Sequence, residues 1–210
     1  MLLASAYLLG SIPFGWIITK ILTSTDLREN GSGATGGTNV FRVLRYKLGT
    51  RRALFWAIVA AGCDVAKAYI PVRVAIKLRP NDHRLHLLVG GAATLGHTKP
   101  IFLKFQGGKA VSTTAGTFFA AAHRERRLWD IIQLAVGVFT GVIASSRIVS
   151  LGSITGSIVG GYYAVRLAAR RKISWWYGLA ALLASAYIVI MHKDNVKRMA
   201  RREEERTDLW

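Results

Sequence analysis

An all-α, polytopic integral-membrane bundle is the architecture expected of this 210-residue chain, and three observations lead there. Apolar residues form long blocks, basic residues fall between the blocks, and polar glycine-rich stretches break them up. Hydrophobic residues make up 51% of the chain, barely above the roughly 45–50% of soluble domains, so the total decides little. The distribution decides more. Blocks lie at 1–22, 54–78, 128–146, 151–167 and 173–191, several of them near the roughly 20 residues that cross a bilayer core. The last block contains no Asp, Glu, Lys or Arg.

Two shorter blocks, 85–96 and 110–122, are polar at their ends and are expected as short or broken helices. With them the count is about seven membrane segments, which puts the termini on opposite sides. With the N-terminus outside, the cytoplasmic segments 23–53, 99–109, 147–150 and 193 onward hold 16 basic residues against 10 on the other side. Lys and Arg bias therefore favours N-out, C-in. Residues 1–210 are expected as one membrane-embedded domain, because short loops leave no room for a soluble module.

The formal charge of +18 calls for anionic partners. Its placement between apolar spans points to anionic membrane lipids and a phosphorylated substrate, not to nucleic acid. Cys63 is single and sits in an apolar block, which excludes an internal disulfide and argues against a cysteine metal site. No Lys or Arg precedes Lys20, so 1–22 reads as a retained first span and not a cleaved signal. Asp64 and Lys67, three apart in the second block, fall on one helix face and are expected as a structural ion pair. The run 201–206 reads as a solvated tail.

Four polar stretches carry chemistry. In Gly31–Arg42, glycines let a ligand approach the backbone, Ser32 and Thr38 donate hydroxyl hydrogen bonds, and Arg42 grips phosphate with two parallel bonds. In the stretch 96–109, Gly107-Gly108-Lys109 opens a helix and suits an anion, with Lys104 close by. It is not a nucleotide-binding P-loop, since Phe102 and Ala110 stand where that motif needs Gly and Ser or Thr. His97, alone beside a turn, reads as structural. Ser150 and Ser153 open the 151–167 block, and His192 and Asn195 share a helix face where the chain leaves the membrane. All four stretches fall on one predicted side.

These ordered stretches, with Gly10-Ser11-Ile12-Pro13-Phe14-Gly15 ahead of them, make the chain resemble the bacterial acyl-phosphate:glycerol-3-phosphate acyltransferases over nearly its whole length. The resemblance implies seven membrane segments in the bacterial cytoplasmic (inner) membrane, with the active site facing the cytoplasm. It implies transfer of an acyl group from acyl phosphate to the 1-hydroxyl of glycerol 3-phosphate, without metal or cofactor. It assigns substrate and phosphate binding to Ser32, Thr38, Asn39, Arg42, Gly107, Gly108 and Ser153, and Lys104, beside the second loop, is expected to join them. Lys109, Ser150, His192 and Asn195 take the catalytic roles. Ala34 stands where the pattern has Asn, Lys99 where it has Phe, and Ala110 and Arg202 where it has Gly. The rival from another class is a membrane transporter of a small anionic solute, since charged loops and broken helices suit transport too.

Overall fold

A computed structural model describes residues 1–207, and every regular element among them is helical. The 1–22 block is not one continuous helix. It divides into α1 (Leu2–Gly10) and α2 (Phe14–Thr23), because Pro13 has no N–H to donate and its ring excludes the preceding turn. The break leaves the Ile12 carbonyl free to accept from Lys67 Nζ at 3.0 Å.

After a one-turn 3₁₀ helix at Leu27–Glu29 come α3 (Gly37–Leu48) and α4 (Thr50–Leu78). At 29 residues α4 is about 43 Å long at 1.5 Å per residue, longer than the roughly 30 Å hydrocarbon core. It packs against α1, α3, α5 (His83–Thr98) and α6 (Val111–Ala122), and so forms the axis of the first half. The second half is an antiparallel trio, α7 (Leu128–Ser146), α8 (Val149–Ala169) and α9 (Trp175–Met191), followed by the short basic α10 (Lys193–Ala200). The two short blocks are thus unbroken helices of 16 and 12 residues.

Small residues set how near the helices come. A methyl on Gly10 would land on the Ala93 backbone, and one on Gly96 on the Tyr7 carbonyl, so α1 and α5 touch backbone to backbone. Gly156 meets the Ala135 carbonyl of α7 in the same way. Close approach of this kind replaces the hydrophobic drive that lipid cannot supply. Meanwhile Leu54, Phe55, Ile58, Ile70 and Val74 of α4 and Leu182, Leu183 and Ile190 of α9 lie exposed. Such an apolar exterior suits acyl chains, not water.

Among the described residues three helices suit a crossing by length and composition: Leu2–Thr23 taken through its bend, α4 and α7. The α9–α10 pair, bent by 55°, makes a fourth. By itself α9 has 17 residues, a little under the length a straight span needs.

Two departures from the expected pattern acquire a backbone reason. Ala110, just ahead of α6, has φ +71°, and Arg202, just past α10, has φ +60°. Arg202 occupies the left-handed position of a Schellman turn, with Glu203 N–H donating to the Arg198 carbonyl (2.8 Å) and Arg202 N–H to Met199 (3.0 Å). Glycine holds such a conformation without the penalty a Cβ brings, about 1 kcal/mol. Ala110→Gly and Arg202→Gly are therefore each expected to raise the unfolding temperature in detergent, and no rise in thermal-shift measurements would show that the strain is relieved by other means.

Candidate active site

The first polar loop is built around Asn39, in the first turn of α3 and 2% exposed. Its side-chain N–H groups donate to the carbonyls of Leu27 (3.1 Å), Asn30 (2.9 Å) and Ala34 (2.9 Å), and its Oδ1 accepts from Ser32 N–H (2.9 Å). One buried amide thus replaces the hydrogen bonds that the irregular backbone cannot make with itself. Gly31 and Gly33, at φ +61° and +69°, give the loop its curvature. Asn39 stands at the cavity wall with its polar atoms already committed. Thr38 and Arg42, four apart on α3, stand beside it in the same wall.

The second loop docks on the first through Thr35 N–H to the Gly107 carbonyl, at 3.4 Å. Here the structure differs from expectation. Gly107 and Gly108 have negative φ and lie behind the cavity lining, pressed on His97. The Gly108 N–H is already used by the His97 carbonyl at 3.0 Å. The glycines therefore serve close packing, and only Lys109 reaches the cavity. Lys104 is exposed in the left-handed turn at Lys104–Phe105 and does not join the site.

The tail is solvated as expected at 201–203, 205 and 206, and departs from that expectation only at Glu204. The Schellman turn at Arg202 sends the chain back, and Glu204 is 8% exposed. Its Oε1 accepts from Asn195 Nδ2 (2.6 Å) and Ser150 Oγ (2.8 Å), its Oε2 from Arg198 Nε (2.7 Å). Desolvation by itself would raise its pKa, yet these three hydrogen bonds outweigh it and hold Glu204 below the usual carboxylate range. Asn195 Oδ1 in turn accepts from Lys109 Nζ at 2.6 Å, so one amide joins a half-buried cation to a buried carboxylate. Glu205 lies on Arg42, Oε2 to Nε at 3.0 Å.

These groups line one cavity of about 450 Å³, between Ser32, Thr38, Asn39 and Arg42 on one side and Lys109, Ser150, Ser153, His192 and Asn195 on the other. Ala34, His97, Ser112 and Glu204 also line it. Burial comes first among the causes that lower Lys109 to a pKa of about 8, followed by the charge of Arg198. His192 is 3% exposed. Its Nδ1 donates to the Ile188 carbonyl at 2.8 Å, so in the neutral form of the ring Nε2 is the acceptor. Among the described residues no three His, Cys, Asp or Glu gather as a metal-ligand set.

This arrangement has relatives. The family model for "Glycerol-3-phosphate acyltransferase" matches residues 1–202. The chain belongs to the glycerol-3-phosphate acyltransferase family. The Myxococcus xanthus glycerol-3-phosphate acyltransferase is 39% identical over 95% of both chains, and that of Geobacillus kaustophilus 37% over 97% of this chain and 93% of the relative. The crystal structure of PlsY (YgiH), an integral membrane glycerol 3-phosphate acyltransferase, superimposes in its glycerol 3-phosphate form with a TM-score of 0.83. It is 32% identical, covering 99% of this chain and 94% of that one. Its lysophosphatidic acid form gives 0.79 at 30% identity, with the same coverage. Family membership makes the chain an integral membrane acyltransferase of phospholipid synthesis.

The titration of Lys109 has a direct consequence. Its cationic form prevails below pH about 8 and is lost above it, so kcat/KM, which follows the free enzyme, should fall as pH rises through 8. Lys109→Arg should move that fall upward, because guanidinium stays charged. An unchanged alkaline limb in the variant would separate Lys109 from the pH dependence.

Proposed function

We propose that the chain moves a fatty acyl group from acyl phosphate to the 1-hydroxyl of glycerol 3-phosphate, releasing lysophosphatidate and inorganic phosphate. One observation carries this reading: a cationic cavity opens into an apolar groove. The groove, about 330 Å³ between α6, α7, α8 and α9, is lined by Phe118, Ile132, Ala135, Gly156, Gly160 and Ala184. It shares Val111, Ser112, Phe139 and Ser153 with the cavity. An acyl phosphate has the same two parts, a dianionic head and an apolar tail. With its phosphate near Lys109 and Arg42 and its tail in the groove, the reactive carbonyl falls at the junction. The glycerol 3-phosphate and lysophosphatidic acid forms of the solved relative agree with such a substrate and product.

The chemistry then needs little beyond placement. A mixed anhydride has a good leaving group, so attack by the hydroxyl forms the new carbon–oxygen ester bond as the bond to phosphate breaks. Lys109 and Arg42 stabilise the charge that grows on the departing phosphate. To bind there, phosphate displaces Glu205 from Arg42, and with Glu205 42% exposed that pair contributes no more than about 1 kcal/mol. The hydroxyl proton passes to His192 Nε2, the acceptor left free by the Ile188 bond. Asn195 and Ser150 hold Lys109 and Glu204 in register and thereby keep the cavity open.

The compact anion site has no nucleotide-recognition sequence near it, which favours acyl phosphate over acyl-CoA as donor. Purified protein given glycerol 3-phosphate and either donor at equal concentration should turn over acyl phosphate and leave acyl-CoA nearly untouched. Equal rates would remove the donor assignment.

We also infer seven membrane segments, N-out and C-in, from the 16 to 10 basic bias. The start of α8, the end of α9 and α10 lie at the same end of the bundle as the site, which puts the polar lining on one side. A reporter fused after Trp210, beyond the described residues, should give a cytoplasmic signal. A periplasmic one would invert the orientation or change the count by one.

A further inference from the structure

Between α4 and α5 lies a charged cluster that the acyl-transfer scheme does not use. Asp64, Lys67 and His97 are 1%, 2% and 3% exposed. Lys67 Nζ stands 3.0 Å from Asp64 Oδ1, which also lies 3.4 Å from His97 Nδ1, at ion-pair range. Lys67 is anchored from the other side by the Ile12 carbonyl at the α1–α2 break. His97 meets the second loop, where its carbonyl accepts from Gly108 and its ring fills the space a Gly108 side chain would need. It also lines the cavity beside Lys109. Asp64 Oδ2 and His97 Nδ1 have no hydrogen-bond partner.

Ions buried in a membrane bundle are costly and mark functional sites more often than stabilising ones. A simple structural pair would close on itself with its lone pairs satisfied. This one does not, and it ends on an imidazole at the wall of the anion cavity.

We propose that His97 is a further ligand of the substrate phosphate, with Asp64 and Lys67 as the positioning residues behind it. Asp64 holds the ring by Nδ1, and Nε2 donates to a phosphate oxygen. Between a carboxylate and a phosphate an imidazole is held as imidazolium, the form that donates from both nitrogens. Anion binding thereby completes the cluster, because the ring closes on Asp64 as it engages the phosphate. The α1–α2 break gains a role too, since the carbonyl it frees holds Lys67, which holds Asp64.

This inference takes its ligand, glycerol 3-phosphate, from the proposed function, so the test reads binding without an acyl donor. Calorimetric titration of glycerol 3-phosphate, with inorganic phosphate as a second probe, is made on the purified protein in detergent. His97→Asn keeps an amide where Nδ1 stood but withdraws the donor from the cavity, whereas His97→Gln keeps a donor where Nε2 stood. The Asn variant is expected to bind about ten-fold more weakly, or about 1.4 kcal/mol, and the Gln variant within about three-fold of wild type. Asp64→Asn should weaken binding by itself and add little on top of His97→Asn, because the two act as one unit. Wild-type affinity in His97→Asn would overturn the proposal. So would equal losses in the Asn and Gln variants that track a lower folded fraction, since packing alone would explain them. A wild type that binds glycerol 3-phosphate yet transfers no acyl group would sink the proposed reaction and leave this one standing. A wild type that binds neither probe sinks both.

Discussion

Charge withdrawn from water must be matched, and the chain from Lys109 through Asn195 to Glu204 is where this protein meets that demand. The ammonium and carboxylate do not touch each other directly in this chain of bonds; an amide stands between them and satisfies one with its oxygen and the other with its nitrogen. That spacing leaves Lys109 as a cation with room for another anion. Ser150 and Arg198 complete the carboxylate from α8 and α10, so three distant segments share one fixed point. A direct ion pair would be more self-contained and less able to receive another anion. The depressed pKa of Lys109 follows from the same burial.

Buried amides organise the rest of the polar face. Asn39 serves the first loop as Asn195 serves the closing segment, each joining backbone or charged groups that cannot reach one another. Where backbone must pass close to backbone, glycine takes over, as at Gly107 and Gly108 against His97 and at Gly10 and Gly96 between α1 and α5. Irregular backbone at membrane depth survives only when protein groups satisfy it.

How much of this was legible in the sequence depended on whether the signal was local. Apolar blocks name their own helices, and α4, α7 and α9 fall nearly where the blocks lie. Arg42, Lys109, Ser150, His192 and Asn195 announce themselves as polar residues beside apolar runs, and all line the cavity. Glu204 was missed because its importance comes from a turn that brings it to residues 150 and 195. An acidic triplet following a basic helix was the only hint of it. Lys104 and Lys109 looked alike in sequence, and only the left-handed turn between them sends one outward and the other in. The surroundings of His97 were hidden for the same reason, since its partners Asp64 and Gly108 come from other segments.

The return of the tail also imposes an order of events during synthesis. Ninety-five residues separate Lys109 from Glu204, so a ribosome working at roughly 5–20 residues per second delivers the carboxylate about 5 to 20 s after the lysine. Throughout that interval α4 and α5 are already made, while Lys109 lacks the carboxylate that Asn195 links to it. Anionic headgroups of a bilayer carry the charge that could stand in for it until then. The link from Lys109 through Asn195 to Glu204 therefore forms only after α7, α8, α9 and α10 have been made.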